Sequence, residues 1–266
     1  MYEFLKHPVV VLGANGFIGQ HLTRMIPGAL PITRGSPIDY KYPKTIFNVA
    51  GYSGNDPNRL MEDNVYLVTD WLRNMNKDAI FINAGSSMEY KETHRPTENM
   101  ISEGRGLYGK SKSLASCLIG IHGAMGIPCA NLRLYCVYGA WDRPTNLLPT
   151  VIRSGKQGEL PPFVKGFTTR DFVHVSDVCR AFIIAALKLR PENYGESFNI
   201  GTGIPTSIDK VASIASQIFN VKPEFTRDMG ENDSEWWYAD TTKSRKILGF
   251  STEISFEDGF RELATS

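Results

Sequence analysis

Val-Val-Val-Leu-Gly-Ala-Asn-Gly-Phe-Ile-Gly, at residues 9–19, is the stretch that decides the fold. Its apolar start predicts a parallel strand that is buried on both faces. Three glycines follow, just before a segment whose apolar residues have helical spacing. Such glycines permit a tight turn, a close approach of backbone to a pyrophosphate, and close packing of helix on strand. A plain turn is the alternative, but the position after an apolar strand favours a dinucleotide site. The residues assigned to that site are Gly13, Asn15, Gly16, Phe17, Ile18 and Gly19.

Short β-rich segments alternate with helical segments through the first half of the chain. After 9–12, strands are predicted at residues 29–33, 45–49, 79–83 and 129–134. The helices between them are predicted at 17–25, 60–75 and 108–125. This alternation is typical of a Rossmann-like, doubly wound α/β fold, a parallel sheet with helices on both faces.

Beyond Tyr138 the composition of the sequence changes: Gly, Pro and short polar connections dominate up to residue 169. A strand is predicted at 197–200, and helices are predicted near 146–153, 176–189, 207–219 and 242–248. We interpret residues 1–140 as an NAD(P)-binding domain and 141–266 mainly as a smaller α/β substrate-binding lobe. Segments such as 170–190 are candidates to return to the first domain.

Composition excludes few functions but gives no support for several. Among 266 residues, 29 basic side chains nearly balance 28 acidic ones, which does not favour a nucleic-acid or membrane partner. No apolar run approaches the ~20 residues that span a bilayer. The first strand follows the N-terminus too closely for a secretory signal, and the four cysteines have no C-x-x-C spacing. We therefore expect a cytoplasmic protein without a structural metal.

The end of the second predicted strand indicates which nicotinamide cofactor fits. An Asp at this place would bind a free ribose 2′-hydroxyl, whereas an Arg accommodates a 2′-phosphate. The sequence has Arg34 here, and its first carboxylate is Asp39, which we also assign to the cofactor site. These residues favour NADP over NAD, with Arg34 on the phosphate; an exposed loop arginine is the alternative.

Tyr-Gly-Lys-Ser-Lys at 108–112 begins a predicted helix and supplies a candidate for proton transfer. Residues four apart share a helix face, so the Lys112 ammonium should lie near the Tyr108 phenol. A nearby cation favours the phenolate and is predicted to lower the pKa of Tyr108 toward neutrality. The pattern is short, and taken alone it also occurs by chance.

Gly-Ser-Ser-Met-Glu-Tyr at 85–90 follows the predicted strand at 79–83. This is the end of the sheet where doubly wound proteins bind ligands. A hydroxyl here can hydrogen-bond the oxygen that Tyr108 protonates, although a serine that caps a turn is the alternative. The order of glycine loop, strand-end serine and Tyr-x-x-x-Lys makes coincidence improbable.

With these motifs in place, the chain resembles an extended short-chain dehydrogenase/reductase of the nucleotide-sugar epimerase/dehydratase group. The resemblance covers nearly the whole length. Further segments that carry it are Leu-Arg-Leu-Tyr-Cys-Val-Tyr-Gly at 132–139, Thr-Arg-Asp-Phe-Val-His-Val-Ser-Asp-Val at 169–178, Phe-Asn-Ile-Gly-Thr-Gly at 198–203 and Ala-Asp-Thr-Thr-Lys-Ser at 239–244.

The resemblance implies a role for several residues. Tyr108 would be the acid/base, Lys112 would hold the nicotinamide ribose and polarise the tyrosine, and Ser86 would take the catalytic Ser/Thr position. Ser87 is the substitute for Ser86 and a candidate substrate contact. Three further substrate contacts are implied: Asn146 at the diphosphate, Arg170 at the nucleotide phosphates and Phe163 beside the base. For these three, a purely structural role is the alternative.

Departures from the family pattern narrow the reaction. Met88 stands where dehydratases of this group carry a Glu, so loss of water lacks its usual base. Cys136 replaces a frequent Asn, and no second phosphate-binding Arg is evident before the acidic stretch at 229–237. The leading hypothesis is NADPH-dependent reduction of a nucleotide-linked 4-keto-6-deoxysugar.

Two other functions stay open. The runner-up is a nucleotide-sugar 4-epimerase that retains its cofactor, and a non-catalytic dinucleotide-binding sensor is a remote alternative. The resemblance also implies a homodimer formed through the helices near 60–75 and 108–125.

Overall fold

A computed structural model describes residues 2–91, 94–230 and 233–265. Its centre is a six-stranded parallel sheet with strand order β10-β5-β4-β3-β1-β2. The strands are β1 (Val9–Leu12), β2 (Leu30–Ile32), β3 (Thr45–Asn48), β4 (Ile80–Ser86), β5 (Cys129–Leu134) and β10 (Ser197–Ile200). The predicted α/β fold with a doubly wound parallel sheet is confirmed.

Alternate residues of these strands contribute to two separate hydrophobic cores, one on each face of the sheet. Val9, Val11 and Phe47 face α1 (Phe17–Met25) and α6 (Val175–Lys188). Val10, Leu12 and Ile46 face the other side, where α3 (Leu67–Asn74) and α4 (Gly106–Ala124) pack. Because side chains alternate across a strand, a run of apolar residues is the pattern that two covered faces require. Helix α2 (Pro57–Met61) leads into α3 through a π-helical turn at Glu62–Tyr66.

The second half of the chain adds a third core from α5 (Leu147–Gly155), α7 (Ile208–Phe219) and α8 (Phe256–Thr265). Three two-stranded ladders surround it. They pair β6 (Cys136–Tyr138) with β9 (Phe172–His174), β7 (Phe163–Val164) with β12 (Phe225–Arg227), and β8 (Thr169–Arg170) with β11 (Thr206–Ser207). A π-helical turn at Ser244–Leu248 precedes α8.

The predicted division at residue 140 stays a prediction, but two elements beyond it belong to the central layers. Strand β10 pairs with β5, and α6 contributes its apolar face to the same core as β1. No helix in the described ranges is long and apolar enough to cross a membrane.

Candidate active site

The glycine loop at the end of β1 has the geometry that a dinucleotide-binding turn requires. Gly13 has a φ of +77°, and a Cβ there would lie 2.7 Å from the Ala50 backbone. At Gly19 a Cβ would lie 2.1 Å from the Gly13 carbonyl oxygen, so only glycine lets α1 pack this closely on the loop. Gly16 is the N-cap of α1, whose first backbone N–H groups are available to a phosphate. These residues fit the pyrophosphate of a nicotinamide dinucleotide.

Ser86, Tyr108 and Lys112 lie together at the carboxyl end of the sheet, where β4 ends and α4 begins. All three line a cavity of about 520 Å³, together with Asn15, Gly16, Phe17 and Ile18 of the cofactor loop. The Tyr108 side chain is hydrogen-bonded to Ser86. The Lys112 Nζ lies 5.9 Å from the centroid of the Tyr108 ring and donates to the Ala84 carbonyl at 2.8 Å.

Burial dominates the protonation of both groups on α4. It raises the pKa of Tyr108; the hydrogen bond from Ser86 opposes this shift, the Glu89 carboxylate adds to it, and Arg143 opposes it. The predicted lowering of the Tyr108 pKa is therefore wrong for this structure, because loss of solvent outweighs the Ser86 hydrogen bond and the charge of Arg143. Burial also lowers the pKa of Lys112 to about 8, although Glu89 partly offsets that shift.

The sequence reasoning missed two charged residues in the same cavity, Asp142 and Arg143, which follow β6. Arg143 Nη1 donates to the Ser53 hydroxyl. Asp142 Oδ1 accepts from the Arg143 backbone N–H at 2.7 Å and from Asn146 Nδ2 at 2.8 Å. Burial raises the pKa of Asp142 to about 6. Their only sequence signal is a pair of opposite charges in a Gly- and Pro-rich loop, which is also common on surfaces.

Trp141 precedes this pair with a φ of +64°, a left-handed conformation that bulky residues rarely adopt. Its ring centroid lies 3.8 Å from the Arg24 guanidinium carbon and 4.6 Å from the centroid of His21. His21 Nε2 also donates to the Ala140 carbonyl at 2.8 Å. The loop after β6 is thus attached to the outer face of α1.

A neighbouring cavity of about 590 Å³ extends from Gly13 and Gly16 toward the end of β2 and contains Arg34. Here the side chain of Arg34 forms an ion pair with Asp63, a residue of the π-helical turn that the sequence reasoning missed. Asp39, also predicted at the cofactor site, does not line this cavity, and its Oδ1 accepts from the Lys41 backbone N–H. Arg34 and Asp63 are 29 residues apart, so no local pattern links them.

A third cavity, also about 590 Å³, lies in the second half of the chain and is lined by Asn146, Phe163 and Arg170, for which the resemblance implies contacts with the substrate. Asn146 and Asp142 line both this cavity and the one around Tyr108, so the two cavities adjoin. Together they form a continuous site from the glycine loop to Phe163.

A second arginine does line this third cavity, contrary to the sequence expectation. Arg227, on β12, and Arg170 both contact Asp233, with Nη2–Oδ distances of 3.2 and 2.5 Å. The sequence reasoning overlooked Arg227 because it precedes the acidic stretch rather than lying within it. Glu231 and Asn232, in that stretch, lie outside the described residues.

Ser87 and Met88 point away from the cavity around Tyr108. The Ser87 hydroxyl accepts from Trp237 Nε1 at 3.2 Å, and Met88 packs against the cluster of Trp237 and its neighbours. Neither residue lines that cavity, whereas Ser86 does. Within the described ranges, no group of three or more acidic, Cys or His side chains could hold a metal ion.

Comparison with known proteins gives a family and a fold. Residues 38–201 match the model of the NAD dependent epimerase/dehydratase family. The chain is 30% identical over 184 residues to the "Uncharacterized UDP-glucose epimerase YtcB" of Bacillus subtilis, a match that covers 67% of this chain and 57% of that protein. The chain thus spans less than two thirds of the length of that relative. Further curated relatives carry the names of dehydratases, 4-epimerases and a reductase.

Two solved structures share the fold along nearly the whole chain. MoeE5 in complex with UDP-glucose and NAD superposes with a TM-score of 0.83, at 24% identity and with 97% of both chains covered. RMD from Pseudomonas aeruginosa, complexed with NADPH, superposes with a TM-score of 0.81 at 18% identity, covering 97% of this chain and 98% of that one.

Proposed function

Because the chain belongs to the NAD dependent epimerase/dehydratase family, we propose that it is an enzyme that oxidises or reduces a carbon of a nucleotide-linked sugar. A nicotinamide dinucleotide is its cofactor, and Tyr108 is its acid/base. One observation carries this proposal: Ser86, Tyr108 and Lys112 line the same cavity as the glycine loop. That cavity adjoins a second one with two arginines, which suits a substrate that carries phosphates.

The side chains divide the work of proton transfer. The cofactor, when bound, supplies or accepts the hydride. Tyr108 gives its phenolic proton to the oxygen of the sugar carbonyl, or takes it back in the reverse direction. Ser86 donates a hydrogen bond that orients that oxygen and stabilises the phenolate. Lys112 holds its ammonium beside the ring and is placed to bind ribose hydroxyls.

The first candidate reaction is the NADPH-dependent reduction of a 4-keto-6-deoxysugar. Met88 removes the usual base for loss of water, and the neighbouring Glu89 does not replace it. Glu89 has no exposed surface, and its carboxylate already accepts from Ser86, Asn131 and Arg133. Arg34 lines the cofactor-side cavity, where it can meet a 2′-phosphate.

The second candidate, a 4-epimerase that retains NAD, is favoured by the ion pair between Arg34 and Asp63. A carboxylate that already engages the arginine repels a 2′-phosphate and accepts from a free 2′-hydroxyl. The same cavity also contains Glu62 and Asp70, which further disfavour an additional anion. Cofactor preference therefore separates the two candidates.

Arg170 and Arg227 are the residues that we propose for the substrate phosphates. Both pair with Asp233, so a diphosphate would compete with this carboxylate for the two guanidinium groups. Asn146 lies where this cavity meets the one around Tyr108, which suits the junction between diphosphate and sugar. Phe163 is buried at the far side and is our candidate for packing against the base.

The test is a panel of UDP-, dTDP- and GDP-linked sugars and keto-sugars, assayed with NADPH and NADH. A reductase consumes reduced cofactor in proportion to product, whereas an epimerase turns over without net consumption. We expect Tyr108→Phe to abolish turnover and to leave cofactor affinity nearly unchanged. The matched control is Tyr42→Phe, because Tyr42 is exposed and lines neither the cavity around Tyr108 nor the cofactor-side cavity. Full turnover by Tyr108→Phe would reject the acid/base role and favour a non-catalytic sensor.

A homodimer remains an implication of the family resemblance, and a cytoplasmic location remains a prediction from the sequence. The homodimer is supported by an exposed apolar stripe that consists of Leu107, Leu114 and Ile121 on α4 and of Met125 at its C-cap. These residues are spaced by seven, seven and four positions, so they share one face of the helix. Tyr66, on the π-helical turn before α3, is exposed as well. A second copy of the chain is the occupant that we propose for this face.

A further inference from the structure

Glu89 is a fully buried carboxylate directly behind the candidate catalytic serine. Its Oε1 accepts from the Ser86 backbone N–H at 2.9 Å and from Asn131 Nδ2 at 3.1 Å. Its Oε2 accepts from Arg133 Nε at 2.7 Å. With 0% exposed surface, the carboxylate depends on these donors in place of water. Its position is therefore fixed by two strands, β4 and β5, and not by solvent.

The Ser86 side chain is held from the opposite side. Its Oγ accepts from the Met88 backbone N–H at 3.1 Å, while its own N–H is bound by Glu89. With this acceptor position taken, the hydroxyl proton is available to donate to the Tyr108 oxygen or to a substrate oxygen. The short helix from Ser87 to Glu89 thus sets the direction of the hydroxyl.

A row of asparagines connects Glu89 with the cofactor side of the sheet. Asn131 Oδ1 accepts from Asn83 Nδ2 at 2.9 Å, and Asn83 Oδ1 accepts from Asn48 Nδ2 at 2.7 Å. Asn48 Oδ1 in turn accepts from the Ala50 backbone N–H at 3.3 Å. Every amide donates in the same direction, toward the carboxylate, so each bond polarises the next. Ala50 lines both the cavity around Tyr108 and the cavity with Arg34.

We infer that Glu89 is a positioning residue for the reaction: its buried carboxylate holds the Ser86 hydroxyl toward Tyr108 and links it, through the asparagine row, to the cofactor-side loop. The inference rests on the proposed function, because positioning of Ser86 matters only if Ser86 and Tyr108 act together. It assigns Glu89 no contact with substrate or cofactor.

The negative charge of Glu89 also affects the pKa values of Tyr108 and Lys112. Arg133 compensates the carboxylate from β5, and the Tyr90 hydroxyl accepts from Arg133 Nη1 at 2.7 Å. Tyr108 and Lys112 face the carboxylate from α4, and its negative charge raises the pKa of both. Removal of the charge should therefore make the Tyr108 phenolate easier to form.

Two variants separate position from charge. Glu89→Gln keeps the length of the side chain and an oxygen for the Ser86 N–H but removes the charge. Glu89→Asp keeps the charge but is one methylene too short to reach the Ser86 N–H. The readout is the titration of phenolate absorbance, taken as each protein minus the same protein with Tyr108→Phe. We expect Glu89→Gln to lower the Tyr108 midpoint by about one pH unit. We expect Glu89→Asp to leave the midpoint in place and to lower kcat about tenfold with KM unchanged.

Glu98→Gln is the matched control. The Glu98 carboxylate accepts from the Asn199 N–H at 2.7 Å, and the Glu98 backbone carbonyl accepts from Arg133 Nη1 at 3.4 Å. Glu98 lies outside the cavity that contains Ser86 and Tyr108. It should change neither the midpoint nor kcat. If Glu89→Gln does not fold because Arg133 loses its counter-ion, Glu89→Gln with Arg133→Met removes both charges and undergoes the same titration.

The inference is overturned if Glu89→Gln leaves the Tyr108 midpoint unchanged, or if Glu98→Gln shifts it equally. It is also overturned if Glu89→Asp keeps the kcat of the wild type. The titration needs no substrate, so it decides the charge effect even if no nucleotide sugar is turned over. Failure of the proposed function would appear separately, as a wild-type protein that is inactive on the whole panel.

Discussion

Arg34 Nη2 donates to both carboxylate oxygens of Asp63, at 2.8 and 2.7 Å, and joins the end of β2 to the π-helical turn before α3. The arginine is mostly exposed and the carboxylate is only about one fifth exposed, so Asp63 is the better-fixed partner. Any group that binds Arg34 in the cofactor-side cavity must compete with this carboxylate. We therefore expect the pair to influence which dinucleotide is bound.

Asp63→Asn should move cofactor preference toward NADPH by about tenfold, because it removes a negative charge and frees Arg34 for a 2′-phosphate. Arg34→Ala should remove any preference for NADPH. Dissociation constants for NADPH and NADH, measured by quenching of tryptophan fluorescence, provide the comparison. An unchanged ratio in both variants would show that this pair does not contact the adenosine ribose.

Lys112 should make the free energy of unfolding vary with pH in the alkaline range. Its pKa is about 8 in the folded protein but 10.5 as a free side chain, so between these values the unfolded chain binds more protons. The free energy of unfolding should therefore rise with pH across this window. Below pH 8 the buried Lys112 side chain is charged, and the full cost of burying that charge lowers the stability of the fold. Lys112→Met should raise the free energy of unfolding at pH 7 by about 2 kcal/mol and abolish this rise. Lys110→Met, an exposed change two residues away, is the control and should retain the wild-type pH dependence in denaturant unfolding.

Asp142 should make the free energy of unfolding vary with pH in the acid range, but here stability should fall as pH rises. Burial raises its pKa from 3.8 to about 6, so in this interval the folded protein binds the proton more strongly. The free energy of unfolding should lose about 1 kcal/mol from this group as pH rises through the interval. Asp142→Asn should remove that loss, while Asp228→Asn, at an exposed position, should not. Thermal unfolding at pH 4, 5, 6 and 7 measures it, and parallel curves for Asp142→Asn and the wild type would contradict it.

Asn83 is the middle member of the asparagine row and is 1% exposed. Asn83→Leu leaves an unpaired donor on Asn48 and an unpaired acceptor on Asn131, so we expect a loss of about 3 kcal/mol in the free energy of unfolding. Asn74→Leu is the control, because Asn74 is exposed and bonds only within its own helix. Its effect should stay within about 0.5 kcal/mol in urea titrations. If Asn83→Leu lowered the free energy of unfolding no more than Asn74→Leu does, the prediction that the buried row stabilises the fold would be contradicted.

Leu114→Arg should convert the proposed dimer to monomer, because it places a charge in the middle of the apolar stripe on α4. The expected result in sedimentation is a mass near 29.7 kDa for the variant and twice that mass for the wild type. Leu30→Arg, on edge strand β2, is the exposed control and should leave the dimer intact. A wild-type monomer would refute the prediction outright.

Elements with strong local patterns could be predicted from the sequence. Strands Val9–Leu12, Cys129–Leu134 and Ser197–Ile200 agree with the predicted bounds. Val9–Leu12 is a continuous apolar run, which marks a strand buried on both faces. The two-residue strands β7, β8 and β11 were not predicted. Two residues carry no periodicity, and tertiary packing decides whether they pair.

The candidate site, like the fold, has features that local sequence signals predict and features that they do not. The grouping of Ser86, Tyr108 and Lys112 follows from strand ends and helix spacing, and both signals are local. The pairing of Arg34 with Asp63 joins segments far apart in sequence, and such contacts leave no trace in one sequence. The direction of the Tyr108 pKa shift was also out of reach, because it depends on how much solvent the fold removes.

Trp141 shows how the loop after β6 keeps its shape. Its left-handed backbone costs on the order of 1–2 kcal/mol, which a glycine would largely avoid, yet only a large ring can lie against both Arg24 and His21. Side-chain contacts with α1, and not local backbone preference, therefore determine the conformation of this loop. Helix α1 starts at the glycine turn, and the loop continues into Asp142 and Arg143. A displacement of α1 would thus be transmitted mechanically to the two charged residues in the cavity around Tyr108.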